Sequence, residues 1–391
     1  MTARLAALAL VASVAFASPA DAKPTTTEAP FVELLTFGVG NSLFEAFGHA
    51  ALCLRYADPS YDVCFNYGVT DYDEGAKLIW NFIQGTQVFW SEPSNYGAMI
   101  AFYQDDDRDI WVQQIPMTEV QARAVEDQLW HDVDPAYRSY VYDHVTNNCA
   151  TRIRDLLDAT LGGALSRETA ATGTITSITL RQVEERGFAP SPLLVAAADF
   201  VLGREMDVPL TRWQTMFLPD FLRTEVGAKL DAPATQLHTR RVAPPPTQPS
   251  QLGRTALAVL ALLSTLPFLL WRKRRTAALW IATLPLAFYG IAVWALATLS
   301  PIGLLRWNEA LMIVLPLDLA LPLFSPVARR RYARVRVLSL VAASIACAAG
   351  VLHQPLWMPI IVAIIPLGAI GFSAFAAPDP DRSADAGRAQ S

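Results

Sequence analysis

The stretch Tyr140-Val-Tyr-Asp-His-Val-Thr-Asn-Asn-Cys149-Ala-Thr-Arg152 decides how this chain is read. Asn147 and Asn148 are helix-capping residues, apolar positions 153, 156, 157 and 161 line one helical face, and Gly162-Gly163 supplies the stop, so a helix is expected over 149–161. Cys149 falls in its first turn. Unpaired amides and the positive end of the helix dipole favour a thiolate there, and the same amides suit the oxyanion of a tetrahedral intermediate. Cys149 is therefore a candidate nucleophile. The competing reading is a small cysteine packed at the helix base.

A hundred residues earlier, Gly48-His49 opens an apolar run, and Gly48 permits close backbone approach. If 47–56 and 61–68 pair about the turn Asp58-Pro-Ser60, opposed positions sum to 117: Cys53 faces Cys64, and Asn66 lies diagonal to His49 on the same face. Asn66 would then orient the imidazole, giving a Cys149–His49–Asn66 arrangement in which histidine takes the thiol proton. Cys53 and Cys64 are either a cross-strand disulfide or two core thiols. His144 is a rival base on the loop feeding the helix. Asn147, Asn148 and the Tyr142 hydroxyl are candidates for holding substrate or oxyanion.

Strands are expected near 31–37, 47–56, 61–68, 97–103 and 109–115, and helices at 75–84, at 118–131 behind Thr118, and at 149–161, with mostly helix after 175. The fold class is α+β, with one domain over 31–230. Asp105-Asp-Asp-Arg-Asp109 has the composition of a solvated turn, and His131 that of a helix end. The histidines and acids show no ligand-like spacing, so neither metal nor cofactor is expected.

Arg4, the apolar stretch Leu5–Phe16 and Ala20-Asp-Ala22 have the form of a signal peptide over 1–22. A Pro-rich linker is expected over 231–252, and apolar runs at 255–271, 277–299, 309–326, 337–352 and 357–376 predict a transmembrane region over 253–377, with a tail at 378–391. Arg272-Lys-Arg-Arg275 and the group Arg329, Arg330, Arg331, Arg334 and Arg336 belong on the cytoplasmic side, which puts the N-terminal domain in the periplasm of a multi-pass inner-membrane protein. Ten basic and two acidic residues give 255–376 a balance of +8 and the tail adds −1, so the overall −5 leaves −12 on residues 1–254. Such an acidic domain argues against nucleic acid as a partner. Asn308, Glu309 and Asp318 are costly in lipid and face either a bundle interior or an interface, ordinary loop positions being the plainer reading.

Phe47-Gly-His49-Ala, Phe65-Asn-Tyr-Gly68, Phe82-Ile-Gln-Gly85, Tyr142, Asn147-Asn-Cys149-Ala-Thr and the later Leu202-Gly203, Asp207 and Met216-Phe-Leu-Pro219-Asp together resemble the Lnb-type lipoprotein N-acyltransferase family over about 31–225. The resemblance implies a circularly permuted papain-like (NlpC-like) domain with a helical extension, followed by a five-helix transmembrane bundle. It implies His49 as base and Cys149 as nucleophile in ping-pong acyl transfer, from a phospholipid to the N-terminal amine of a lipoprotein. Two other functions fit the same residues, a papain-like cell-wall amidase or peptidase and a non-enzymatic membrane assembly factor. An accessible, reactive thiol separates the enzymes from the last.

Overall fold

The computed structural model describes residues 23–42, 45–72, 75–167, 175–271 and 273–373. The expected signal peptide and tail lie outside these residues. The chain divides into two compact units, one of residues up to Ile178 with Pro209–Pro245, the other of Thr179–Val208 with residues from Pro246 onward. The single domain expected over 31–230 is thus interrupted: the segment 179–208 packs with the apolar helices.

The first unit runs β1 (Phe31–Phe37), β2 (His49–Arg55), β3 (Val63–Val69), α1 (Ala76–Ile83), β4 (Val88–Asn95), α2 (Tyr96–Asp105), β5 (Ile110–Ile115), α3 (Glu119–Asp132), β6 (Ser139–Val141), α4 (Cys149–Thr160) and β7 (Ile175–Thr179). The helices α5 (Leu180–Phe188) and α6 (Pro192–Val201) belong to the second unit, after which β8 (Pro209–Thr211), α7 (Arg212–Thr215), α8 (Pro219–Lys229) and β9 (Thr235–His238) complete the first. An antiparallel sheet in the order β6-β4-β3-β2-β1-β5-β9 forms its centre, and β7 and β8 make a separate two-stranded sheet. The α+β class expected from the sequence is what is found.

Strand β2 is apolar without alternation because both its faces are covered. Ala50, Leu52 and Leu54 join Leu34, Phe65 and Ile153 of α4 in one core, whereas Ala51, Cys53 and Cys64 join Leu35 and Met99 of α2 in another. The register of β2 on β3 is Ala51↔Asn66, Leu52↔Phe65, Cys53↔Cys64 and Leu54↔Val63, the pairing that sums to 117. The turn between them is a short 3-10 segment, Pro59–Tyr61, capped by Asp58, whose carboxylate accepts from Ser60 N–H at 2.9 Å.

Three expectations change. Residues 97–103 are helical rather than extended, because Tyr96, Met99, Ile100 and Tyr103 recur at helical spacing and pack on the second core, and Asn95 caps the helix by accepting from Ala98 N–H at 3.0 Å. Strand β4 is concealed in the sequence by Pro93, which pairs with Phe65. The start of the Pro-rich linker packs after all: β9 extends the sheet on β5, and Arg240 donates to Val39 O and Asn41 Oδ1 at 2.8 Å each.

In the second unit the remaining helices are α9 (Leu252–Leu270), α10 (Arg275–Leu299), α11 (Gly303–Arg306), α12 (Pro326–Ala348) and α13 (Trp357–Phe372). Among the described residues, α9 and α10 are the two helices long and apolar enough to cross a membrane. The third of the five expected spans is not an α-helix. Residues 309–326 form two 3-10 segments, Glu309–Met312 and Pro316–Leu323, because Pro316 and Pro322 cannot sustain α-helical bonding. Nor are the polar residues there ordinary loop positions. Asp318 is fully buried against Arg336 Nη2 at 3.1 Å and the Tyr332 hydroxyl at 2.8 Å, Asn308 donates to Phe200 O at 2.7 Å, and Glu309 accepts from the N–H groups of His353 and Gln354 at 2.9 Å. On α6, Asp199 pairs with Arg254 of α9 through two hydrogen bonds of 2.8 and 2.9 Å.

Candidate active site

Cys149 is the first residue of α4, and its N-cap is built as the sequence suggests. Asn148 Oδ1 accepts from Thr151 N–H at 2.9 Å while Thr151 Oγ1 accepts from Asn148 N–H at 2.8 Å, a reciprocal capping box. The cysteine is half-buried and unpaired. Burial leaves its thiol above the usual range, and the backbone N–H groups of Ala50, Ala150 and Cys149 itself, with the charge of Arg108, offset only part of that rise. Ala50 follows His49 in β2, so α4 delivers the sulfur to the strand position next to the imidazole.

His49 is fixed by its strand and by the turn before it. Gly48 has φ +78°, and a Cβ there would come within 2.6 Å of Phe37 O, so only glycine lets the chain enter β2 this close to β1. The imidazole Nε2 lies 3.2 Å from Asn66 Oδ1, and Asn66 Nδ2 donates to Ser94 Oγ at 2.9 Å. Ser94 thereby turns the carbonyl end of Asn66 toward the histidine. A carbonyl oxygen only accepts, so Nε2 carries the proton and Nδ1 holds the lone pair that a base needs. Burial lowers the imidazole to about 4, against the Asn66 hydrogen bond and with help from Arg108, so His49 is neutral at neutral pH. No hydrogen bond joins His49 to Cys149 among the described residues; such contacts commonly tighten only when substrate is bound.

The other expected site residues are placed differently. Asn148 Nδ2 donates to His144 O at 2.7 Å and Phe217 O at 2.9 Å, which commits both its protons to structure. Asn147 Nδ2 donates to Val141 O at 2.8 Å, and its Oδ1 accepts from Arg152 Nε at 3.1 Å. These two amides brace the loop before α4, and the donors nearest the sulfur are the backbone N–H groups named above. Tyr142 stacks on Phe89 at 4.2 Å, and its hydroxyl lies 3.3 Å from His144 Nδ1. His144, the rival base, sits between the rings of Phe47 and Phe217 at 4.7 and 5.5 Å rather than in solvent. Cys53 and Cys64 form a disulfide. Of the two alternatives left open for that pair, the structure selects the bridge.

Two residues escaped sequence reasoning. Ser94 lies behind Pro93 in a strand the sequence conceals, and Arg108 lies inside the acidic run whose composition predicts a solvated turn, although it is only 3% exposed. The signal for Arg108 was its isolation, a lone cation among four aspartates just before a strand.

These features define a class: an α+β domain that holds a part-buried histidine–asparagine pair beside a half-buried cysteine, in one chain with apolar helices long enough to cross a membrane. Residues 23–186 match the family model described as the Lnb N-terminal periplasmic domain. That part of the chain is similar to the domain so described. No curated protein and no solved structure matched the chain.

Proposed function

We propose that the protein is a multi-pass inner-membrane thiol acyltransferase whose periplasmic domain moves an acyl chain from a phospholipid to the N-terminal amine of a lipoprotein. The observation that carries this reading is the neutral, Asn66-oriented His49 one residue from the amide that faces the Cys149 sulfur. His49 Nδ1 takes the thiol proton, and the thiolate attacks the donor's ester carbonyl. The C–S bond forms, the ester C–O bond breaks, and the imidazolium returns its proton to the lysophospholipid oxygen. In the second half the neutral amine attacks the thioester. The C–N bond forms, the thiolate leaves, and the amine's proton passes to His49.

A thioester suits transfer to an amine, and anchorage in the bilayer holds enzyme, donor and acceptor at high effective concentration. The exposed Ile79 and Trp80 of α1 add an apolar surface that fits a lipid substrate. The test is mass spectrometry of lipoprotein N-termini in a strain dependent on this chain. Cys149→Ala and His49→Ala are expected to abolish N-acylation while the protein still inserts, and wild-type protein should yield a trappable acyl thioester on Cys149. Unchanged triacylation in the Cys149 variant would sink the reading, and release of cleaved wall peptides would favour the amidase.

A further inference from the structure

Arg108 is a buried cation with an incomplete set of partners. Its Nε donates to Gly38 O at 2.8 Å, and its Nη1 lies 3.7 Å from Glu45 Oε1 and 3.8 Å from Asp106 Oδ2. Its Nη2 has no hydrogen-bond partner among the described residues. The guanidinium covers the Tyr103 ring at 4.8 Å, and that ring stacks on Phe37 at 3.7 Å and lies 6.1 Å from His49. Strand pairing places it at the same end of the sheet: Phe37 pairs with His49 on one side and with Ile110 on the other, two residues beyond Arg108. Glu45 and Asp106 offset part of the cost of burying this guanidinium, and Nη2 remains available to a further negative group.

We propose that Arg108 is a positioning residue that supplies a fixed positive charge for the thiolate formed on Cys149 when His49 takes its proton. A cation there favours the charged sulfur and opposes a second positive charge on His49. The ionisable groups that bear on Cys149 or on Arg108 fit this balance. Tyr72, after β3, Tyr103 on α2 and Tyr140 on β6 are pushed up by burial and by Cys149 itself, and so stay neutral. Burial acts to raise Glu45, but hydrogen bonds from Ser42 and the charge of Arg108 outweigh it and hold the carboxylate low. Burial and Glu45 raise Asp106. Arg152, on the cysteine's own helix, is engaged over Tyr140 at 3.8 Å.

The inference rests on Cys149 being the nucleophile. Its test reads the thiol directly, so it can fail while acyl transfer stands, or stand while acyl transfer fails. The full chain in detergent, carrying Cys347→Ser so that Cys149 is the free thiol, is alkylated with iodoacetamide across pH. Arg108→Gln is expected to raise the midpoint by about one pH unit or more, Arg108→Lys to recover most of that shift, and Glu45→Gln to lower the midpoint, since it removes a counter-charge. A merely structural role moves none of these with opposite signs. An unchanged midpoint in Arg108→Gln overturns the proposal, and should that variant fail to fold, an unchanged or raised midpoint in Glu45→Gln does so instead.

Discussion

At the scale of single residues, the proposed chemistry depends on one imidazole kept neutral before it takes the thiol proton. The His49 pKa lies near 4 in the folded protein and at 6.5 in an exposed histidine, because burial penalises the charged ring more than Asn66 favours it. The sign of the stability effect follows. As pH falls, the unfolded chain takes up this proton first, so stability is complete above about 6.5 and is lost progressively between about 6.5 and 4. Melting temperature measured against pH should fall over that window less steeply in His49→Ala than in wild type, and identical slopes would refute the assignment. The pairing of His49 with Asn66 was legible in the sequence because strand register is arithmetic once the turn is located. The roles of Asn147 and Asn148 were not. An asparagine before a helical cysteine has the same composition whether its amide faces a substrate or the carbonyl of Phe217, which lies far away in the chain.

At the scale of elements, α1 leaves much of its apolar surface uncovered. Its buried residue is Leu78, while Ile79 and Trp80 on the other side are 60% and 53% exposed. The loop before α1 carries Tyr72, which senses the charge of Cys149. In the proposed reaction, an exposed apolar helix face is a surface on which a bilayer could present its lipid. The double variant Ile79→Ser with Trp80→Ser is expected to slow acylation from vesicle-embedded phospholipid about tenfold while leaving alkylation of Cys149 unchanged. Equal rates with vesicles and with a short-chain soluble donor, in both proteins, would remove α1 from the reaction. Elements with a clear period and a cap were readable, α3 and α4 above all. Those lost were ones where a local signal pointed the wrong way: the aromatic run of α2 mimics a strand, Pro93 disguises β4, and the prolines after residue 231 hide β9 in an apparent linker.

At the scale of the whole molecule, the interruption at 179–208 determines how the chain can be divided. This segment buries Asp199, Phe200 and Ala196 against partners that lie beyond residue 246. A fragment ending at residue 245 would keep the segment and lose what covers it, leaving a carboxylate and an apolar face without partners. Such a fragment is expected to aggregate, and replacing 180–208 with a short Gly-Ser linker is expected to restore a monomer in size-exclusion chromatography; a monodisperse parent fragment would disprove this. The division was not readable in advance, since α5 has the composition of an ordinary amphipathic helix, α6 is apolar but only ten residues long, and nothing local states which core they join. The disulfide between Cys53 and Cys64 has one further consequence. Three cysteines leave the cytoplasm with the first unit, and two of their three possible pairings would consume Cys149. The bridged pair is only 11 residues apart and set face to face by the hairpin, so its ring closes with far less loss of chain entropy than any ring reaching Cys149. The hairpin thus favours the short ring during oxidation and leaves Cys149 reduced, the state that the proposed function requires of it.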